Sequence, residues 1–188
     1  MEDFNLEEAN VQHLWNKWNN YDVCMISARR HEFPLKQNRA RNTQLGQDLA
    51  NSPFEYIRTM GGYPEELKGK DDVEHSASER SYFVVNKDPN KTQDFENFMF
   101  DLCKKYNQDS IFLKTSNYPS KLYDKDRNVV DYTEKNADLD KMDLKSDSPY
   151  YSKIGGTKFS FVPKESCKKS EFRKLVEEVL KENGFTLD

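Results

Sequence analysis

Four short polar clusters stand where strands or helices are predicted to end, and they hold residue types that bind anions or transfer protons. They are Ser27-Ala28-Arg29-Arg30, Asn38-Arg39-Ala40-Arg41, Glu79-Arg80-Ser81 and Tyr106-Asn107-Gln108-Asp109-Ser110. Because polar groups that flank apolar elements need a hydrogen-bond partner or water, such clusters are candidates for one converging site. Seven side chains are the predicted ligand-binding residues: Arg29, Arg30, Asn38, Arg41, Glu79, Ser81 and Gln108.

Arg41 has two interpretations that the sequence leaves open. On a helix, Asn38 and Arg41 share a face and point toward the sheet near the first helical turn. Arg41 could then join Arg29 or Arg30 and the free amides of the helix N-terminus in binding an anionic group. Alternatively, Arg41 pairs with Glu79 or another carboxylate and ties the helix to the sheet.

Candidates for catalysis and for metal binding are few. Glu79 and Ser81 project from the same face of a strand, and a carboxylate there could act as a general base. No second catalytic group accompanies Glu79, so no catalytic residue is assigned. His31 has no ligand spacing with the other two histidines, and we predict no metal site. The chain also contains no phosphate-loop, dinucleotide-binding or nucleophile-elbow motif, and no cofactor is predicted.

Composition excludes several classes of protein. The chain has 188 residues, of which 35% are hydrophobic and 33% charged, and its net charge is -4. Balanced charge argues against a nucleic-acid coat, and acids interleave the tyrosines and lysines near 118–158, so nucleic-acid binding is not expected. The three cysteines are widely spaced, and we expect them to be reduced thiols. The acidic N-terminus and the lack of a run of ~20 apolar residues predict a cytoplasmic protein without a membrane segment.

Hydrophobic periodicity predicts the order of the elements. A helix near 6–20 precedes a strand at 22–28, a helix after Pro34 and a strand at 54–60 that ends in a turn at 61–64. A buried strand from Ser81, a helix through 95–106 and a strand from Ser110 follow. The fold class expected is α+β: a mixed or antiparallel sheet built from two β-α-β units, with helices mainly on one face, plus a C-terminal hairpin and helix.

One domain over residues 1–188 is expected from the length of the chain. Its core would occupy about 22–116, followed by a mobile or hairpin insertion at about 117–149. A hairpin and a helix at about 150–184 would complete the domain.

A set of motifs resembles an uncharacterised family of short bacteriophage and bacterial proteins that carry a domain of unknown function. The likeness covers residues 23 to 115 and rests on Ile26-Ser-Ala-Arg-Arg, Asn38-Arg-Ala-Arg with Leu45 and Leu49, Gly62-Tyr63, Glu79-Arg-Ser and Lys105-Tyr-Asn-Gln-Asp-Ser-Ile-Phe. The resemblance implies a phage or phage-associated origin, with the host cytoplasm or the virion as the location. It implies no activity.

Three function classes follow. The first is a phage-type accessory protein that binds an anionic, nucleotide-like ligand through the Arg, Asn, Glu and Gln side chains named above. The alternative is a virion or host-factor module that binds a protein partner and has no small-molecule site. An enzyme that acts on a nucleotide-like ligand ranks third, because Glu79 lacks a catalytic partner.

Overall fold

A computed structural model describes residues 6–65, 75–130, 141–143, 151–154 and 157–162 of the chain. These residues form three α-helices and eight β-strands. In chain order the elements are α1 (Leu6–Asn20), β1 (Asp22–Ser27), α2 (Leu35–Ala50), β2 (Glu55–Glu65), β3 (His75–Asn86), α3 (Thr92–Lys105), β4 (Ile111–Lys114), β5 (Lys121–Tyr123), β6 (Lys141–Asp143), β7 (Tyr151–Ile154) and β8 (Thr157–Val162).

The eight described strands pair in the order β5-β4-β1-β3-β2-β7-β8-β6, and every pair is antiparallel. Because β1 and β2 both run antiparallel to β3, they are parallel to each other with β3 between them. By the same reasoning, β3 and β4 are parallel with β1 between them. The order β4-β1-β3-β2 therefore consists of two interlocked split β-α-β units, a ferredoxin-like arrangement. The predicted α+β class with two β-α-β units is confirmed.

Each face of the sheet carries its own hydrophobic core, because successive strand residues point to opposite faces. Helices α2 and α3 pack on the face that holds Cys24, Ile26 and Val84. Helix α1 packs on the opposite face, where Trp18 stacks on Phe112 with ring centroids 5.0 Å apart. Eight apolar positions of the predicted β-α-β units were expected from their spacing to share one core. Seven of them lie in or against the first cluster, whereas Phe83 belongs to the second. The eight positions are Ile26, Leu45, Leu49, Phe83, Val84, Phe98, Leu102 and Ile111.

The turn predicted at Gly61-Gly62-Tyr63-Pro64 is wrong, since β2 continues through it to Glu65. Gly61 pairs with Glu79, and Pro64 pairs with Ser76 of β3. On its other side, among the described residues, β2 pairs with β7 from Met60 to Gly62.

The later hairpins agree with the predicted pattern where the structure describes them. Tyr123 forms a bridge with Val129, and the Val130 N–H donates to the Leu122 carbonyl at 2.9 Å. Strands β7 and β8 pair with each other, as expected for the hairpin of the 150–184 segment, while Gly155 and Gly156 between them lie outside the described residues. The helix expected in the same segment also lies outside them. The division into core, insertion and C-terminal segment stays a prediction.

Helices in the described part of the chain are all too short or too polar to cross a membrane.

Candidate active site

One corner of the sheet collects most of the predicted ligand-binding residues. It forms where the loop after β1, the first turns of α2 and the turn after α3 meet. Asn107, with φ of 48°, ends α3 in the left-handed conformation that asparagine tolerates, and the Gln108 N–H then donates to the Cys103 carbonyl at 2.9 Å. We call the set Arg29, Arg30, Asn38, Arg41 and Gln108 the arginine corner.

Asn38 ties the loop after β1 to the start of α2. Its Oδ1 accepts a hydrogen bond from the Arg30 N–H at 2.9 Å. Its Nδ2 donates to the carbonyls of Arg30 and Phe33, each at 2.8 Å. The side chain is 4% exposed, so its hydrogen bonds go to the main chain of the loop and not to solvent.

Arg41 connects the ends of two elements through their carbonyl groups. Its Nε donates to the Ala28 carbonyl at 2.8 Å, and its guanidinium also donates to the Tyr106 carbonyl. The guanidinium carbon lies 4.9 Å from the centre of the Phe33 ring, a cation–π distance. Among the described residues no carboxylate pairs with Arg41, and the side chain of its expected partner Glu79 lies outside them.

Arg30 and Gln108 reach the same turn after α3. Arg30 forms ion pairs with Glu32 at 2.7 Å and with Asp109 at 2.6 Å, and it donates to the Asn107 carbonyl at 2.6 Å. The hydrogen bond to Glu32 is the main cause of the raised pKa of Arg30. Gln108 donates to the Arg29 carbonyl at 3.1 Å. These contacts bring the corner residues together; their contact with a ligand stays a prediction.

Ser81 and Glu79 lie on β3, next to the corner. Ser81 pairs in register with Ser27, and its buried hydroxyl lies 2.9 Å from the hydroxyl of Thr59. Ser81 also lines the groove described next. Glu79 pairs in register with Gly61, so only its place in the strand is described.

A groove of ≈ 660 Å³ lies between α2 and the strands β2, β3 and β7. Asn42 joins this groove to the corner, because its Oδ1 accepts from the Ala28 N–H at 3.0 Å. The groove is lined by Asn42, Thr43, Gly46, Gln47, Ala50, Tyr56, Arg58, Thr59, Met60, Arg80, Ser81, Tyr82, Lys153 and Ile154.

Three cationic side chains line the groove. Arg58 pairs with Tyr82 across β2 and β3, while Met60 lies between Arg80 and Lys153 in neighbouring strands. Residues paired across strands share a face, so the three cations surround Met60 on the α2 side. None of the lining residues in the described part of the chain is Asp, Glu or His. The groove therefore suits a ligand that carries a negative group.

Two tyrosines supply flat apolar surface in the same groove. The rings of Tyr56 and Tyr82 meet edge to face with centroids 5.7 Å apart. The Tyr82 hydroxyl donates to the Asn42 carbonyl at 2.9 Å. Burial raises the pKa of Tyr82, so this side chain is a neutral phenol at pH 7 and not a base.

Sequence reasoning missed the groove residues Tyr56, Arg58, Tyr82 and Lys153 as site candidates. Arg80 was part of a named polar cluster but was not assigned a role. The alternation of Tyr56, Arg58 and Met60 along β2 was the available signal, because these residues share one face. The antiparallel register that aligns them with β3 and β7 is a tertiary property.

Buried thiols and metal-ligating groups give no second reactive centre in the described part of the chain. Cys24 and Cys103 are free and buried, and burial is the main cause that raises the pKa of both, to about 11 for Cys103. Such thiols are poor nucleophiles. No group of three or more His, Cys, Asp or Glu residues there could hold a metal ion.

Comparison with known families gives one match. Residues 24–161, well over half of the 188-residue chain, match the S-adenosylmethionine lyase family. Comparisons with curated proteins and with solved structures give no match.

The family match corrects three expectations. The resemblance to an uncharacterised phage family was wrong, and a bacteriophage origin has no support. The quoted motifs include segments of the arginine corner and, in Arg80 and Ser81, two residues of the groove lining. The predicted accessory-protein function was also wrong. The third function class, an enzyme acting on a nucleotide-like ligand, agrees with the family match. A host or virion partner has no support. The chain belongs to the S-adenosylmethionine lyase family.

Proposed function

We propose that this protein is a lyase that breaks a carbon–sulfur bond of S-adenosylmethionine in the groove between α2 and the sheet. The observation that carries the proposal is the family match, because residues 24–161 include every residue that lines the groove. The groove volume of ≈ 660 Å³ is also in the range of ~300–1,000 Å³ usual for small-molecule sites.

The groove offers partners for the adenine ring, the carboxylate and the sulfonium of this substrate. The adenine ring packs on the face of Tyr56, where an aromatic surface is half-buried. The substrate carboxylate pairs with Arg58 or Arg80, which are exposed in the groove and have no ion-pair partner among the described residues. The sulfonium then lies toward the tyrosine rings, which attract cations through their π faces.

Two lyase routes can break the bond between sulfur and Cγ of the substrate. In the first, a base removes a proton from Cβ, and the electron pair forms a double bond as the thioether leaves. In the second, a carboxylate oxygen of the substrate attacks Cγ, closing a five-membered lactone as the C–S electron pair passes to sulfur. The described lining residues contain no carboxylate or imidazole base, and Tyr82 stays protonated. The second route is therefore the one we propose.

Lactone closure places modest demands on the protein. An arginine that holds one carboxylate oxygen leaves the other free to attack, and a folded substrate brings that oxygen in line with the C–S bond. The reaction also converts a carboxylate and a sulfonium into two neutral groups. Exclusion of water from the groove favours such a loss of charge. The chain's contribution is then to bind, fold and desolvate the substrate.

Incubation of the purified protein with S-adenosylmethionine in H₂¹⁸O tests the proposal. The expected products are 5′-methylthioadenosine and homoserine lactone, identified by mass spectrometry. Later opening of the lactone by water occurs at its carbonyl and puts ¹⁸O into the carboxyl group of homoserine. Direct attack of water on Cγ instead puts ¹⁸O into the hydroxyl group, and elimination gives an unsaturated amino acid.

Each of the other outcomes has a clear meaning. Label in the hydroxyl group would make the protein a hydrolase, and an unsaturated product would replace lactone closure by elimination. No cleavage above a protein-free control would contradict the proposed function. The double variant Arg58→Met/Arg80→Met serves as the matched protein control, because it removes the cations that we assign to the substrate carboxylate.

A further inference from the structure

Gly46 of α2 lies directly over Tyr82, whose side chain rises from β3 into the groove. A Cβ atom at position 46 would lie 2.6 Å from the Tyr82 hydroxyl oxygen and 3.3 Å from Cζ of the same ring. The first distance is shorter than packed carbon and oxygen atoms allow. Tyr82 can therefore occupy this place only because residue 46 has no side chain.

The surroundings leave the Tyr82 ring little freedom to retreat. Its hydroxyl donates to the Asn42 carbonyl at 2.9 Å, one turn before Gly46. Asn42 in turn accepts from the Ala28 N–H at 3.0 Å, which fixes α2 to the end of β1. Tyr82 also belongs to the buried core cluster, and its ring packs against Tyr56. A side chain at position 46 would consequently push the ring toward the open side, which is the groove.

We propose that Gly46 and Tyr82 form a steric pair that fixes the Tyr82 ring and thereby the width of the groove open to the substrate. Tyr82 is a positioning residue in this account, and Gly46 is the residue that permits its position. The identity of the substrate rests on the proposed function, whereas the steric pair rests on the geometry of α2 and β3 alone.

Three variants test the pair: Gly46→Ala, Tyr82→Phe and the double variant. Gly46→Ala should raise KM for S-adenosylmethionine by about 10- to 200-fold, the range that one misplaced methyl group produces in a binding pocket. Its kcat should change by less than about threefold, because the reacting groups remain. Tyr82→Phe removes the oxygen nearest to the added methyl group. The double variant should therefore return KM to within about threefold of Tyr82→Phe alone.

Thermal unfolding gives a second measurement that needs no substrate. Alanine normally stabilises a helix relative to glycine. Here Gly46→Ala should instead lower Tm, and adding Tyr82→Phe should raise the Tm of that variant. If Gly46→Ala fails to fold, recovery of folding in the double variant also supports the steric pair.

Two results would overturn the inference. One is a KM in Gly46→Ala equal to that of the wild type; the other is a double variant no better in KM and Tm than Gly46→Ala. If the wild-type protein does not cleave S-adenosylmethionine, the proposed function fails and Tm alone decides on the steric pair. Additive Tm changes would then reject the pair, and a rescue would support it.

Discussion

The arginine corner and the groove both bring cationic side chains to one end of the same sheet, yet they engage those cations differently. In the corner, Arg41 donates to main-chain carbonyls, and Arg30 pairs with Glu32 and Asp109. In the groove, Arg58 and Arg80 have no ion-pair partner among the described residues. A charge that already has partners ties elements together, whereas an unpaired charge beside a cavity is available to a ligand.

Convergence of polar residues does not by itself identify a binding site. The predicted corner residues do converge, but Asn38 uses its carboxamide to hold a loop. The groove cations stand on β2, β3 and β7 at positions that meet only through the register of the sheet. The comparison therefore predicts loss of activity from changes in the groove and loss of stability from changes in the corner.

The largest effect is expected from the double variant Arg58→Met/Arg80→Met. The charged hydrogen bond to the substrate carboxylate contributes about 1.5–3 kcal/mol, so kcat/KM should fall by a factor of about 10 to 150. Both residues are exposed, and the free energy of unfolding should stay within about 0.5 kcal/mol of the wild type. Steady-state kinetics and urea unfolding measure the two quantities.

Arg39→Met is the matched control, because Arg39 is exposed on α2 and does not line the groove. It should leave kcat/KM and stability unchanged. Full activity in the double variant would show that Arg58 and Arg80 do not bind the substrate.

The corner should show the opposite pattern in Asn38→Ala. This change leaves the half-buried Arg30 N–H and Phe33 carbonyl without their partner, while the Arg30 carbonyl keeps the bond from the Phe33 N–H at 3.3 Å. The free energy of unfolding should fall by about 3 kcal/mol, measured by urea unfolding. Asn19→Ala, at an exposed position of α1, is the control and should have little effect. Retained stability with lost substrate affinity would place Asn38 in the binding site.

The variant Arg41→Ala tests whether the arginine corner contacts the ligand. Ligand binding by Arg41 stays a prediction. Loss of its bonds to the Ala28 and Tyr106 carbonyls should cost about 2 kcal/mol of unfolding free energy. Arg41→Lys should recover only part of it, because an ammonium group lacks the planar fork of arginine. Calorimetric titration with S-adenosylhomocysteine decides the point: unchanged affinity in Arg41→Ala limits the residue to a structural role, and lost affinity extends the site into the corner.

The smallest effect concerns Glu55, a paired carboxylate on the same strand as Arg58. Hydrogen bonds from Lys17 and then Lys87 lower the pKa of Glu55. A lowered folded pKa contributes stability above the unfolded pKa of about 4.3, and this contribution is lost as pH falls through the folded value. The unfolding free energies of wild type and Glu55→Gln should therefore converge as the solution is acidified below pH 4.3. A difference that is constant from pH 7 to pH 3 would contradict this pairing.

Much of the framework could be predicted because its elements carry local signals. The apolar spacing of Phe95, Met99 and Leu102 predicts α3, and the uninterrupted apolar run at Tyr82-Phe-Val-Val predicts a buried strand. The fold class follows from the order of these elements. The glycines at 61 and 62 led to the wrong prediction of a turn at 61–64, because pairing with β3 overrides their preference for a turn.

The candidate groove could not be predicted in the same way. Its cations belong to three strands, of which β7 is separated from β3 by more than 60 residues of chain, and no local pattern links Arg80 to Lys153. Gly46 shows the same limit. Glycine merely lowers the helix propensity of this segment, and only the packing of α2 on β3 shows that Tyr82 occupies the space of a side chain at position 46.

The most direct measurement follows the arginine Nε–H signals of the ¹⁵N-labelled protein by NMR during titration with S-adenosylhomocysteine. This analogue keeps the adenosine and the carboxylate of the substrate but has a neutral sulfur that is not a leaving group. If the groove binds the substrate, the signals of Arg58 and Arg80 shift with saturation while those of Arg30 and Arg41 stay in place. Shifts confined to Arg30 and Arg41, with Arg58 and Arg80 unmoved, would contradict the account.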